Sequence, residues 1–279
     1  MRSLRPPWPY FRGASMSDDS RSILVTGASG GIGRAVCVQL AHSGRALVLA
    51  ARDEGRLRAL CDELRLIRSG RYEAIPVDMG DDAGVATFGE RLADRGIVLG
   101  GVVMMPPQMR PTNDCLPPDD TWRTLFQHSF IGPLGLLRAA IAAMHTDPAK
   151  GQRAKVVIVS TITSVQALGH YATSNVLRCA WLAEAKTLAF ALGERGIHVN
   201  TLSLGGTLTP DYAASVQRRA DQAGVSLAQQ LAGETSNIPL GKYGRPEEVA
   251  VVVEQLLGAM SDHMTGANLL QDDEFARAY

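Results

Sequence analysis

The twelve residues Gly169 to Ala180, GHYATSNVLRCA, carry Tyr171, Ser174 and Arg178 at spacings of three and four. On a helix those spacings put a phenol, a hydroxyl and a guanidinium on one face. Such a set suits proton exchange with a carbonyl or an alcohol, provided a nearby cation brings the phenol down from its ordinary pKa of about 10. Arg178 supplies the charge, but a guanidinium does not pass protons as an amine can. Upstream, Ser160, Thr161, Thr163 and Ser164 close an apolar run. They form a hydroxyl-rich strand end that either holds a carbonyl or carboxylate oxygen or caps a turn. His128 and His170 are further proton-transfer candidates, since imidazole is the side chain suited to that exchange, or hydrogen-bonded structural residues.

These side chains need a scaffold, and the chain alternates in a way that supplies one. From Ser22, SILVTG reads as a strand, GIGRAVCVQLAHSG as a helix, RALVLAAR as a strand and EGRLRALCDELRLIRSG as an amphipathic helix. YEAIPVDM, GGVVMM, AKVVIVS, IHVNTLSL and ANLLQ continue the strands. Helical segments separate them, including the long DTWRTLFQHSFIGPLGLLRAAIAAM with a Gly-Pro bend. Short apolar strands separated by helices predict one α/β domain over residues 21–279: a Rossmann-type, doubly wound parallel sheet of about seven strands, with helices on both faces. Residues 208–241 interrupt the alternation with a polar helical insertion after a strand. That is the edge where open α/β sheets bind ligands, so the insertion is a candidate lid, with Tyr212, Arg218 and Arg219 as contacts or as a solvated face. Residues 1–20 read as a flexible tail.

Between the first strand and first helix stands TGASGGIG, residues 26–33. Its glycines permit a tight turn and the close approach of a pyrophosphate, whose charge the following helix N-terminus favours. Thr26, Gly27, Ser29, Gly30, Gly31, Ile32 and Gly33 are therefore cofactor-binding candidates. At the end of the second strand, where an acidic residue would hold a ribose 2′-hydroxyl, the chain has Arg52, which suits a 2′-phosphate. NADP(H) is favoured over NAD(H).

The turn, the segment VNTLSLGGTLT and the ending GRPEEVA…MTGANLLQDD resemble the short-chain dehydrogenase/reductase family over residues 22–273. The resemblance implies adenine contacts from Asp78 and Met79, and a nicotinamide contact from Gly205, Gly206, Thr207 and Thr209, with Leu204 in place of the usual proline. It also implies a Ser, Tyr, Lys and Asn acting together. Aligned from KTLAFALGERGIHVN, these places hold Thr161, Ser174, Arg178 and Ser129, so all four are substituted. Tyr171 then stands one turn upstream of the usual tyrosine, either replacing it or forming a pocket wall. The Asn-Asn-Ala-Gly after the fourth strand is MMPP here, in which Met104 and Met105 can pack over the adenine side or the loop is merely stiffened. The sequence looks most like a divergent ketoacyl-carrier-protein-reductase-like group with Ser-Asn-x-x-Arg in place of Tyr-x-x-x-Lys.

The resemblance thus implies an NADP-dependent reductase or alcohol dehydrogenase acting on a small molecule with non-standard catalytic residues. Two alternatives stay open. One is a non-redox enzyme on the same fold (lyase, decarboxylase, isomerase or cyclase), and the other a nucleotide-binding subunit without turnover. With 28 basic and 28 acidic residues the chain carries no net charge, which argues against a nucleic-acid or anionic-membrane partner. Four scattered cysteines indicate neither a metal site nor a disulfide framework and fit a cytoplasmic location. The two long helices, 121–144 and 173–192, match those that pair in family dimers, so a homodimer or homotetramer is expected.

Overall fold

The structure, a computed structural model, describes residues 20–273 and 275–277. The tail expected over residues 1–20 lies, but for Ser20, outside the described residues. Seven parallel strands form one sheet in the order β3-β2-β1-β4-β5-β6-β7. They are β1 (Ser22–Thr26), β2 (Leu47–Ala51), β3 (Tyr72–Pro76), β4 (Leu99–Met104), β5 (Ala154–Thr161), β6 (Ile197–Leu204) and β7 (Asn268–Gln271). The order runs outward in both directions from the β1–β4 pair. The crevice beyond the carboxyl ends of those two strands is therefore the switch point at which such sheets take ligands.

Two cores follow from strands buried on both sides. On one face, α1 (Gly31–His42), α2 (Glu54–Ile67) and α9 (Pro246–Leu257) cover a cluster that includes Val25, Val36, Leu57, Leu202 and Val253. On the other, α3 (Asp82–Asp94), α5 (Gly132–Ala142) and α6 (Ala172–Leu192) cover Leu24, Phe88, Val102, Leu136 and Trp181. Between β6 and α9 the chain makes two further helices, α7 (Pro210–Ala223) and α8 (Leu227–Glu234), where the insertion was expected. Each starts from a hydroxyl cap: Thr209 Oγ1 accepts from Tyr212 N at 3.2 Å, and Ser226 Oγ from Gln229 N at 3.2 Å.

The long central helix differs from its expected form. It runs as α4 (Asp119–Phe126), a π-helical turn over Gln127–Ile131, and α5, so the irregularity lies upstream of the Gly-Pro pair rather than at it. Pro133 has no N–H, and the carbonyl it would have served is that of Ser129, four residues back. The turn widens there, with Gly132 N–H bonding to the Gln127 carbonyl. Widening brings Gly132 against the β3–α3 connection so closely that a Cβ on it would lie 1.7 Å from the Met79 carbonyl oxygen.

Candidate active site

The switch-point crevice is a cleft of about 1030 Å³. Its floor is the glycine-rich turn. Gly27 takes φ +60, Gly30 N donates to Gly27 O at 2.9 Å, and a Cβ on Gly33 would stand 2.1 Å from that same oxygen. The chain must therefore be glycine at both places for α1 to start so close to β1. Gly30 caps α1 without any side-chain acceptor, so the helix's first N–H groups are left for a ligand. Gly27, Ser29, Gly30 and Gly31 line the cleft, as do Arg52, Asp78 and Met79. Asp78 Oδ1 accepts from Gly80 N at 2.9 Å, which fixes the loop that carries Met79.

Three of the expected cofactor residues act from behind the wall. Thr26 is fully buried and ties β1 to β4: its Oγ1 donates to Val103 O at 3.3 Å and accepts from Met105 N at 2.7 Å. Met104 is also fully buried, in the core beneath α5 and α6, and it is Met105 that faces the cleft. A residue with no accessible surface offers a ligand nothing, so these two are corrected from contacts to supports. Ile32 packs against the α1-side core. Arg34 and Arg56, which the sequence did not single out, line the cleft beside Arg52. Arg56 Nη2 donates to Ser29 O at 2.6 Å, and Arg34 pairs with Glu63. Nothing in the local spacing announces them, because Arg34 sits on α1 and Arg56 on α2 while Arg52 precedes the cap of α2. Asp53, the acidic residue next to Arg52 in the chain, accepts from Arg56 N at 2.9 Å as the cap of α2.

Ser174 and Arg178 stand in the first two turns of α6, both buried. Ser174 Oγ lies 3.1 Å from Thr163 Oγ1, which in turn bonds Thr161 Oγ1, so three hydroxyls form one chain at the carboxyl end of β5. Ser164 Oγ pairs instead with Ser203 Oγ at 3.0 Å, and the buried Ser160 Oγ has no partner among the described residues. Arg178 Nη2 donates to the carbonyls of Pro106 at 3.3 Å and Pro107 at 3.1 Å, while its Nε and Nη1 have no partner among the described residues. It has no ion pair among the described residues, and burial pulls its pKa down to about 10, leaving it cationic at neutral pH. Asn175, between the two, bonds both the N–H and the carbonyl of Leu168 and so pins the loop before α6.

Ser129 is buried on the π turn and reaches the cleft. Its carbonyl, released by Pro133, accepts from the indole Nε1 of Trp181 at 2.7 Å. Trp181 is fully buried and was not singled out from sequence, although a proline four residues after Ser129 announces a carbonyl in need of a donor. His128 also lines the cleft and packs on Gly80.

Tyr171 stands at the N-cap of α6, half-buried, with its ring 4.5 Å from that of His170. Burial and the neighbouring Tyr212 raise its pKa, against a smaller lowering by Arg219. Those neighbours belong to α7, so the phenol is turned toward the insertion; like Thr161, Thr163, Ser174 and Arg178 it does not line the cleft. Within the insertion Arg219 grips Glu234 with two bonds of 2.8 and 2.9 Å and lies 5.5 Å above the Tyr212 ring. The Arg219 bonds hold the Glu234 carboxyl down at about 2. Tyr243 donates to Glu234 at 3.1 Å and packs its ring on Gly206. Thr209 and Pro210 rest on Gly31, so the root of the insertion touches the glycine-rich turn. Gly205 lies against Asp272, and Thr207 pairs with Gly244.

Comparison with known proteins agrees with this architecture. Residues 27–273 match the family described as enoyl-(acyl carrier protein) reductase. A rhamnolipids biosynthesis 3-oxoacyl-[acyl-carrier-protein] reductase of Pseudomonas aeruginosa is 25% identical over 260 residues, covering 92% of this chain and 95% of its own. L-fucose dehydrogenase of Mus musculus is 29% identical, covering 89% and 85%. Among solved structures, L-sorbose reductase from Gluconobacter frateurii, complexed with NADPH and L-sorbose, superposes with a TM-score of 0.87 at 22% identity, covering 95% and 100%. An NADPH-bound short-chain oxidoreductase of Pseudomonas aeruginosa with an atypical catalytic centre gives 0.80 at 25% identity, covering 92% and 98%. This chain belongs to that reductase family, within the short-chain dehydrogenases/reductases.

Proposed function

We propose that the protein is an NADP(H)-dependent oxidoreductase that reduces a carbonyl, or oxidises the corresponding alcohol, of a small molecule. The observation that carries the reading is the phosphate end of the cleft. Arg34, Arg52 and Arg56 converge on an uncapped helix N-terminus, and the acidic residue next to Arg52, Asp53, is occupied as a helix cap. Similarity to an NADPH-bound relative at 25% identity supports the same choice. NADPH, when bound, supplies the hydride. The chain's own part is to orient and polarise the carbonyl. Ser174, Thr163 and Thr161 offer neutral hydroxyl donors, and the buried Arg178 contributes positive charge in a place of low dielectric. Thr26, Met104 and Trp181 hold the walls, and Ser160 stands behind the hydroxyls. Similarity to a relative described as having an atypical catalytic centre supports a non-standard centre here.

Arg52→Asp tests the cofactor. Charge-assisted bonds contribute about 1.5–3 kcal/mol, so NADPH affinity in a fluorescence titration falls roughly ten- to hundredfold, while NADH affinity holds or rises. Equal loss of both, or of neither, refutes the 2′-phosphate assignment. Intact NADPH binding with no oxidation by any carbonyl would turn the choice to the non-redox alternative.

The helices α7 and α8 act as a lid over the substrate end, rooted on Gly31 and braced against each other by Arg219–Glu234. Assembly is the other part of the reading. Ile131, Val176 and Phe190 on the π turn and α6 are 51%, 46% and 88% exposed, more apolar surface than a helix facing only its own sheet requires. A homodimer or homotetramer covers them, and a monomer mass by light scattering at micromolar concentration refutes it. No helix among the described residues is long and apolar enough to cross a membrane, and the four cysteines are free, which supports a reducing cytoplasmic setting.

A further inference from the structure

Two departures from the usual family pattern, the prolines at 106 and 107 and the arginine at 178, meet in space. The segment from Met105 to Pro118 leaves β4 and crosses in front of the first turn of α6 before α4 begins. It is held at three points. Met105 N donates to Thr26 Oγ1 at 2.7 Å; Pro106 and Pro107 give their carbonyls to Arg178; and Thr112 pairs with the start of α6. In that last contact Thr112 N donates to His170 O at 2.9 Å, and Ala172 N to Thr112 O at 3.0 Å. Arg178, under the two prolines, is 3% exposed and Ser174, one turn earlier on α6, 6%; Ser129 and Thr173 line the cleft beside them.

The chemistry of the contact is specific. Proline has no N–H, so consecutive prolines present carbonyls as their only backbone polar groups and can accept but not donate. One Nη of a guanidinium carries two hydrogens in a fixed plane and serves both carbonyls at once. A lysine ammonium, a point charge on a flexible stem, has no such fork to hold the two in register. Arg178 also makes no carboxylate contact among the described residues, so these two carbonyls are the polar partners the structure gives it.

We propose that Arg178 is a positioning residue that clamps the segment 105–118 across the substrate end of the cleft. The Arg178 and Pro106–Pro107 substitutions are one device: the arginine sets the closed position of a strap, and the strap forms the wall against which a carbonyl substrate is held over Ser174. The substrate part rests on the function proposed above; the clamp itself does not.

Amide hydrogen exchange on the full-length, ligand-free protein reads the clamp directly, since local opening sets the exchange rate of a hydrogen-bonded segment. Arg178→Lys keeps the charge and loses the fork; Thr112→Pro removes the strap's donor to His170 with Arg178 untouched. Both variants speed exchange in 108–116 and 170–172 about tenfold or more, leave the β4 and β5 peptides protected, and combine less than additively. In turnover with NADPH, Arg178→Lys raises substrate KM at least fivefold with kcat changed less, and Thr112→Pro does the same. Unchanged strap exchange in Arg178→Lys overturns the clamp. So does a loss confined to kcat, which would leave the arginine its charge at the carbonyl and no hold on the strap. If Arg178→Lys shows no cooperative melting transition, Thr112→Pro decides by the same exchange readout. If the wild-type chain turns over no carbonyl, the proposed function fails, and the exchange experiment still judges the clamp.

Discussion

Gly33→Val eliminates measurable NADPH binding and lowers stability by about 3 kcal/mol or more, the upper range for overpacking a rigid site. The added Cβ would lie 2.1 Å from Gly27 O, 2.7 Å from Gly27 C and 2.9 Å from Ala28 Cα. All three are backbone atoms, and Gly27 is already committed to φ +60. No side chain can swing aside, so either the turn leaves the end of α1 or α1 leaves the sheet. The first loses the cradle, and the second opens the core at Val25 and Val36. Gly31→Ala is the informative contrast. The nearest atoms to its Cβ are side-chain atoms of Thr209 and Pro210, so the root of the insertion moves while the turn stands, and the protein keeps its melting temperature within a few degrees. Thermal melts and fluorescence titration with NADPH separate the two. A Gly33→Val protein with wild-type melting and affinity would remove the close-approach argument.

That turn was legible because its chemistry is local: a strand, four glycines within seven residues and a helix leave the backbone few other ways to run. The seven-strand sheet was legible for a related reason, since each strand is a short apolar run and each connection a helix. What escaped depends on contacts across the chain. Periodicity cannot say whether Met104 or Met105 faces inward at the very end of a strand, and burial settles it. Trp181 looks like any core aromatic until Pro133, 48 residues earlier, is seen to leave the Ser129 carbonyl in want of a donor. Arg34 and Arg56 read as solvated helix charges, and only the approach of α1 to α2 brings them to one cleft. Tyr171 is the sharpest case. Helical spacing puts it on the face of Ser174 and Arg178, but as the N-cap it has left the helix (φ -126, ψ 37), and its ring follows the loop toward Tyr212.

That displacement sets the expected result for the catalytic centre. Ser174→Ala lowers kcat about a hundredfold, the scale seen when one donor to a developing oxyanion is removed, and Tyr171→Phe changes it by less than threefold. The phenol at 171 is raised in pKa by burial and by Tyr212, the opposite of what a general acid near neutrality needs. The hydroxyls are weaker acids still, but they are placed as donors. Ser174 Oγ, Thr163 Oγ1 and Thr161 Oγ1 bond in a row, so a carbonyl oxygen accepting from one polarises the others. Because they act as a chain, Thr163→Val combined with Ser174→Ala costs little more than Ser174→Ala alone, whereas independent donors would multiply. Thr161→Val has a second effect, since Thr161 Oγ1 also accepts from Thr163 N at 3.3 Å, and its loss shifts the turn as well as the donor. Steady-state kinetics with a turned-over carbonyl and saturating NADPH distinguish the cases. If Tyr171→Phe were inert and Ser174→Ala fully active, the displaced phenol would be the acid, and its ring, packed on His170, would have to move inward during each cycle.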